Sequence, residues 1–265
     1  MSGTDLNARR AFLTLAGTGA LLQACRQETR VYAEPATRTP PLRTPPLRTP
    51  PPRAPAAVGS GKEDEQAEDV SATEDLMREH GVIRRILVVY RLSAVQLRSK
   101  PTVVSLDALQ RAAKLMRTFG EEYHERQLEE THLFPAVKAA GGPAASELTT
   151  LIAQHQRGRE ITDYLLAITR KTIGTSAELL ARTLEGFSLM YEEHAAREDT
   201  IIFPAWKKAL SPKQLDEMGD LFEDIEHKTF GKDGFDDAVE QITSVERAMG
   251  LDPASLTAPP PPRLG

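Results

Sequence analysis

The sequence has little of several residue types on which common functions depend. It contains one cysteine in 265 residues, which excludes an internal disulfide and a cysteine-rich zinc site. Aromatic residues make up 5% of the chain and the formal net charge is −5. Because contact with phosphates requires a clustered basic excess, we expect no nucleic-acid partner. No apolar run reaches about eighteen residues, so no ordinary transmembrane helix is predicted.

Residues 1–25 resemble an export signal that ends in a lipoprotein cleavage box. Arg9 and Arg10 precede an apolar run from Ala11 to Leu22, which is too short to span a bilayer but fits a signal core. The stretch "RRAFL" resembles a twin-arginine signal, and "LQAC" resembles a lipobox ending at Cys25. The resemblance implies a protein anchored to a membrane of the cell envelope, on its periplasmic or extracytoplasmic face, by lipid on Cys25. A buried N-terminal helix with a free thiol is the alternative.

Two proline-rich segments flank the part of the chain that is predicted to fold. Residues 26–70 contain "TPPLRTPPLRTPPPRAP" and then an acidic stretch. Proline at this density favours extended polyproline II, so we interpret the segment as a stalk with a flexible linker; a proline-motif ligand is the alternative. Residues 251–265 end in "APPPPRLG", and we interpret them as a disordered tail.

Residues 71–250 are predicted to be a helical domain. Their apolar residues recur with the helical period, and no strand pattern is found. Ser105, Thr175 with Glu178, and Ser211 are predicted to begin helices, and "GGP" at residues 141–143 to separate two of them. Four long helices with short connections indicate an all-α, antiparallel up-and-down four-helix bundle with one or two extra C-terminal helices.

The first two helices repeat as the next two. The second ends "EEYHERQLEETHLFP" and the fourth "EEHAAREDTIIFP". One histidine on the first helix corresponds to one on the third. A histidine and a glutamate on the second helix correspond to a histidine and a glutamate on the fourth. The paired residues are His80 with His155, His124 with His194, and Glu129 with Glu198. Because an unpaired charge in a bundle core is costly, imidazoles and carboxylates that converge there indicate metal ligands.

The spacing between the paired ligands differs by one residue. Glu198 follows His194 by four residues and shares its helix face, but Glu129 follows His124 by five. Both glutamates lie five residues before their Phe-Pro, so the extra residue lies between His124 and Glu129. A π-bulge absorbs such an insertion, and we therefore predict a distortion of the second helix there. In a regular helix Glu129 would instead face solvent.

These residues together resemble the hemerythrin-like, HHE cation-binding family. The resemblance covers about half of the chain. It implies a four-helix bundle around a non-haem centre of two iron ions bridged by oxo or hydroxo groups and carboxylates, although the ligand types leave manganese or zinc open. It also implies a small gaseous or peroxide ligand and, since no electron-transfer segment is found, a separate redox partner.

The sequence departs from the hemerythrin pattern at Arg159, four residues after His155, where hemerythrin proper has a further histidine. We expect His227, which follows the four-helix core, to supply the missing imidazole, or else to lie at a helix end. Asp199 is an alternative to Glu198. His132 is interpreted as a surface or supporting residue. Arg84 and Arg159 are interpreted as partners of ligand carboxylates or as solvent-facing residues.

Three functions fit these residues. The first is binding or sensing of dioxygen or a related small ligand. The second is an enzyme that acts on peroxide or nitric oxide, with the metal as Lewis acid and redox centre. The third is a metal-free structural bundle on a stalk. The sequence favours the first, because a missing protein ligand leaves an open coordination position.

Overall fold

The computed structural model describes residues 70–171, 174–252, 254 and 256–262. Across these ranges the chain forms six helices and no strand. The fold class is therefore the all-α bundle that the periodicity predicts, with two helices after the bundle. The export signal with Cys25, and the stalk as far as residue 69, lie outside the described residues.

Four long helices form the bundle. Two of them, α2 and α4, are continuous helices that each contain a π-helical section. The elements are α1 (Ala72–Ser99), a 3-10 turn (Pro101–Val103), α2 (α-helical Leu106–Leu115, π-helical Met116–Leu133, α-helical Phe134–Ala140), α3 (Gly142–Thr169), α4 (α-helical Ala177–Arg197, π-helical Glu198–Ile202, α-helical Phe203–Ala209), α5 (Pro212–Phe230) and α6 (Gly234–Ala248).

Serine side chains begin the helices much as predicted. The hydroxyls of Ser105 and Ser211 accept a hydrogen bond from the backbone N–H three residues on, which caps α2 and α5. The prediction for α4 was one residue early. Ser176 is the cap and accepts from Leu179, whereas the Thr175 hydroxyl lies 2.8 Å from that of Tyr164.

The link between α2 and α3 depends on two glycines. Gly141 and Gly142 have φ angles of 71° and 77°, values that side chains with a Cβ rarely adopt. Pro143 follows within the first turn of α3, where the missing N–H costs no hydrogen bond. The predicted break at residues 141–143 is confirmed.

The core lies between the four long helices, with α1 packed chiefly on α4 and α2 on α3. α5 and α6 make their main contacts with α1 and α2. Trp206, near the end of α4, is fully buried and stacks on Phe222 of α5 at 5.8 Å, so α5 is fixed to the bundle end. No helix in the described ranges combines the length and the apolar composition that crossing a membrane requires.

Candidate metal centre

The structure brings the six repeated residues together inside the bundle. His80 comes from α1, His155 from α3, and a histidine and a glutamate come from each of α2 and α4. Each of the six is at most 3% exposed. The four helices therefore converge on one buried polar cluster, which comprises His80, His124, Glu129, His155, His194 and Glu198.

Glu129 lies between the two halves of this cluster. Its Oε1 atom is 3.5 Å from Nε2 of His124, and its Oε2 atom is 3.4 Å from Nε2 of His155. It belongs both to a group with His80 and His124 and to a group with His155, His194 and Glu198, each with ligand atoms within 4.8 Å of one another. The cluster therefore consists of two overlapping groups of donor atoms, each with enough donors for a metal ion.

Glu198 lies between the halves in the same way. Its Oε2 atom is 3.1 Å from Nε2 of His194 and 3.4 Å from Nε2 of His80. Two carboxylates thus lie between two pairs of imidazoles, an arrangement typical of carboxylate-bridged sites in helical bundles.

The extra residue in α2 is absorbed by π-helical hydrogen bonding, as predicted. The backbone N–H of Phe134 donates to the carbonyl of Glu129, five residues back. Because an i→i+5 pattern brings residues five apart to one face, Glu129 faces the interior with His124. Two features exceed the prediction. The π-helical section of α2 is 18 residues long. A second π-helical section is present in α4, and at its end the backbone N–H of Phe203 donates to the carbonyl of Glu198.

Each of the four histidines directs Nε2 toward the cluster and bonds at Nδ1 to a side chain outside it. These outer contacts hold the ring orientation and, where Nδ1 donates, leave the Nε2 lone pair free for a metal. The outer partners are Asp199 at 2.7 Å for His80, Glu79 at 2.5 Å for His124, Glu130 at 2.8 Å for His155 and Gln154 at 2.9 Å for His194.

Five inner atoms of the cluster lack hydrogen bonds. Nε2 of His124 and all four carboxylate oxygens of Glu129 and Glu198 are buried without a hydrogen-bond partner. Nε2 of His155 lies 2.9 Å from Nε2 of His194, so one of these two nitrogens carries a proton that it donates to the other. Unsatisfied buried groups are rare in folded proteins, and this set of nitrogen and oxygen donors fits a metal.

The charges in the cluster stabilise one another. Burial raises the pKa of Glu198, but His194 and His80 outweigh burial, and the pKa lies well below its usual value. The pKa of Glu129 is also lowered, against burial and the charge of Glu198, by His124 and His155. The pKa values of His124 and His155 are raised well above the ordinary value despite burial, because carboxylates surround them. A metal ion must therefore displace protons when it binds.

The arginines four residues after His80 and His155 contact the outer acids instead of the inner glutamates. Arg84 bonds to Asp199, and Arg159 bonds to Glu130. Asp199 is consequently the outer partner of His80. Of the two acids that the sequence offered as the inner ligand, Glu198 and Asp199, it is Glu198 that occupies the inner position.

Two predicted histidines lie elsewhere. His227 is exposed on α5, where it lines a cavity of about 330 Å³ together with Asp75 and Glu226. His227 does not supply a fifth imidazole, because α5 packs outside the bundle and directs this residue to the surface. It lies in the last turn of α5, which agrees with the alternative of a helix-end position. His132 is half-buried with its ring 6.1 Å from that of Phe222, in agreement with a supporting position.

Sequence reasoning assigned none of the outer partners, of which it considered only Asp199, as an inner ligand, and it did not predict a second buried polar group. Glu125 is 1% exposed, accepts a hydrogen bond from the phenol of Tyr191 at 2.7 Å, and lies 3.2 Å from Arg159. The repeat could have indicated the outer partners, because they too occupy matched positions. Glu79 and Gln154 each precede a paired histidine, and Glu130 and Asp199 each follow a paired glutamate. Glu125 has no such counterpart, since Ala195 follows His194.

Comparison with known proteins agrees with this geometry. Residues 71–206 match the family model described as hemerythrin HHE cation binding domain. Two relatives, an uncharacterized protein of Mycobacterium tuberculosis and an uncharacterized protein of Mycobacterium bovis, are each 38% identical to this chain over 208 residues. These matches cover 76% of this chain and 80% of each relative. No solved structure matches the chain significantly.

Proposed function

Because this chain belongs to the hemerythrin HHE cation-binding domain family, we propose that its buried cluster holds two non-haem iron ions and that the protein binds or senses dioxygen or a related small ligand. The observation that carries the proposal is the set of inner nitrogen and oxygen atoms without hydrogen bonds, around Glu129 and Glu198. Imidazole and carboxylate without thiolate suit iron, manganese or zinc, and two bridging carboxylates favour iron.

The protein side chains would leave coordination positions of the bound ions open to a small ligand. Each ion would be held by two imidazoles and by oxygens of Glu129 and Glu198, which is fewer than the usual six ligands of iron. Bound iron would supply the open coordination positions and the electrons that dioxygen requires. The rings of Phe134 and Phe203 stack on His155 and His80 at 5.5 and 5.3 Å. Because all six inner residues are buried, we expect the site to admit only small ligands.

Reversible oxygenation tests the proposal. Protein loaded with ferrous iron under anaerobic conditions should develop a visible absorption band on exposure to dioxygen, and the band should vanish on deoxygenation. Glu198→Gln should abolish the band because it removes a bridging charge. Glu193→Gln, on the exposed side of the same helix, should leave it unchanged. A wild-type protein with two irons and no reversible band would contradict dioxygen binding.

One observation favours the second candidate, an enzyme acting on peroxide or nitric oxide. The buried phenol of Tyr191 and carboxyl of Glu125 form a hydrogen-bonded pair beside His155 and His194. Burial raises the pKa of Glu125, so the pair is able to hold a proton that reduction of a small ligand consumes. Turnover of peroxide or nitric oxide by the wild type that falls about 100-fold in Tyr191→Phe would establish this function.

We also propose that the helical domain is tethered at the cell envelope. The sequence up to Cys25 supports this through its resemblance to a twin-arginine lipoprotein signal. The full chain expressed in a bacterial host should fractionate with membranes, and Cys25→Ser should release it. Equal fractionation of the two chains would contradict the lipid anchor.

A further inference from the structure

The two halves of the cluster differ in one outer contact, although their inner ligands match. His80, His124 and His155 each bond at Nδ1 to a carboxylate, whereas His194 bonds to the side-chain oxygen of Gln154. The structural counterpart of Gln154 is Glu79, which precedes His80 as Gln154 precedes His155. The pseudo-symmetry is therefore broken at this pair of residues.

This difference changes how strongly an imidazole donates to a metal. A carboxylate that accepts the Nδ1 proton makes the imidazole more basic, and loss of such an outer partner typically lowers metal affinity about 10- to 100-fold. An amide oxygen carries no net charge and accepts the same proton more weakly. His194 is consequently the weakest imidazole donor of the four.

The next acid in this half of the cluster does not replace the missing carboxylate. The hydrogen-bond partners of the His194 ring are Gln154 and His155, and Glu125 is not among them. Its two oxygens are occupied by the phenol of Tyr191 and the guanidinium of Arg159. Glu125 therefore does not accept the Nδ1 proton of His194, which faces Gln154.

The outer partner of His124 is also more deeply buried than the outer partner of His194. Glu79 is 1% exposed, and the ring of Phe230 from α5 packs at 5.1 Å on Tyr123, the residue before His124. Gln154 is only half-buried, and the main contacts of α5 and α6 are with α1 and α2, on the other side of the cluster. Water therefore reaches the outer partner of His194 more easily than that of His124.

We infer that the two metal positions are unequal: the ion between His155 and His194 is held loosely and exchanges, whereas the ion between His80 and His124 is retained. The inference rests on the proposed two-ion centre. It makes Glu79 and Gln154 positioning residues that set how tightly each position retains its ion.

Chelator challenge tests the inequality. The full chain loaded with two ferrous ions is mixed with excess bipyridine under anaerobic reducing conditions, and release is followed by absorbance. The wild type should release one ion per chain at least about tenfold faster than the other. Gln154→Glu should slow the fast phase to a single slow release, and Glu79→Gln should convert the slow phase to a single fast release. The double swap, Glu79→Gln with Gln154→Glu, should restore two phases.

A matched control and two contrary outcomes complete the experiment. Gln156→Glu, an exposed position on α3 two residues from Gln154, adds the same charge and should leave both phases unchanged. Two ions released at one rate by the wild type, or a fast phase unaffected by Gln154→Glu in a protein of normal helical content, would overturn the inequality alone. A total of fewer than two ions would instead contradict the proposed centre, and the inequality with it.

Discussion

The phenol oxygen of Tyr191 lies against the backbone of Gly158, so closely that a Cβ on this glycine would stand 1.9 Å from it. Gly158 follows His155 by three residues on α3, and the space above it allows the phenol to reach Glu125 at 2.7 Å. A glycine within a helix normally costs stability. Here it is required, because any side chain would displace the residue that bonds Glu125.

Gly158→Ala is therefore expected to destabilise the protein by about 1–3 kcal/mol, since Tyr191 must move from its position. The control is Gly186→Ala on α4, where a Cβ would meet no atom within 4 Å. That substitution should stabilise the fold by about 0.5–1 kcal/mol through helix propensity. Urea unfolding of both variants measures the difference, and equal effects would contradict the tight placement of Tyr191.

Metal binding should weaken as the pH falls. The carboxylates around His124 and His155 raise the pKa of both imidazoles well above the ordinary value. Protons therefore begin to compete with metal at a higher pH than they do for an unperturbed histidine. The apparent affinity for ferrous iron, measured in competition with a chelator, should fall steadily from pH 8 to pH 6. A pH-independent affinity over that range would contradict the clustered arrangement.

The metal-free protein should lose stability as the pH rises, in part because of Glu121. Burial raises the pKa of this carboxyl from 4.5 to about 8. The folded state therefore holds the proton more tightly than the unfolded state, and stability falls between these two pH values by at most about 1.4 kcal/mol per pH unit. Glu121→Gln should flatten this part of the pH profile and gain stability relative to the wild type at pH 8.

The neighbouring residue provides the control for that measurement. Glu122→Gln, at a partly exposed position that pairs with Arg126, should keep the wild-type pH dependence. Chemical unfolding at several pH values compares the three proteins. If Glu121→Gln and Glu122→Gln gave the same profile, Glu121 would not be the buried group responsible.

Bound iron should stabilise the native state, since it satisfies inner atoms that otherwise lack partners. A ligand that binds only the folded state adds about 2.7 kcal/mol at a concentration 100 times its Kd. Ferrous iron should therefore raise the Tm of the wild type. It should do so less in Glu129→Gln, which keeps the shape of the side chain but removes its charge. An equal rise in both proteins would place iron binding outside the cluster.

The six inner residues were predictable because they are repeated. A residue type that recurs at matched positions in both halves of a pseudo-symmetric bundle carries a signal that His80 or Glu198 alone lacks. The same comparison located the extra residue between His124 and Glu129 and predicted its π-helical accommodation. The second π-helical section begins at Glu198. Because Glu198 follows His194 by the regular four residues, the sequence did not predict this section.

The outer contacts were harder to predict because they join different helices. Asp199 bonds to His80, 119 positions earlier in the chain, and only the packing of α1 on α4 brings the two together. His227 illustrates the opposite error, because its residue type matched a missing ligand while its helix packs outside the bundle. Counting ligand types in a sequence thus finds candidates, and helix packing decides which of them meet.

Metal analysis of the protein purified without added metal tests the central claim most directly. If imidazoles and carboxylates from four helices hold a two-ion centre, elemental analysis should find about two transition-metal ions per chain, predominantly iron, and Glu129→Gln should reduce that number. Fewer than one ion per chain in a fully helical wild-type protein would contradict the claim and leave a metal-free structural bundle.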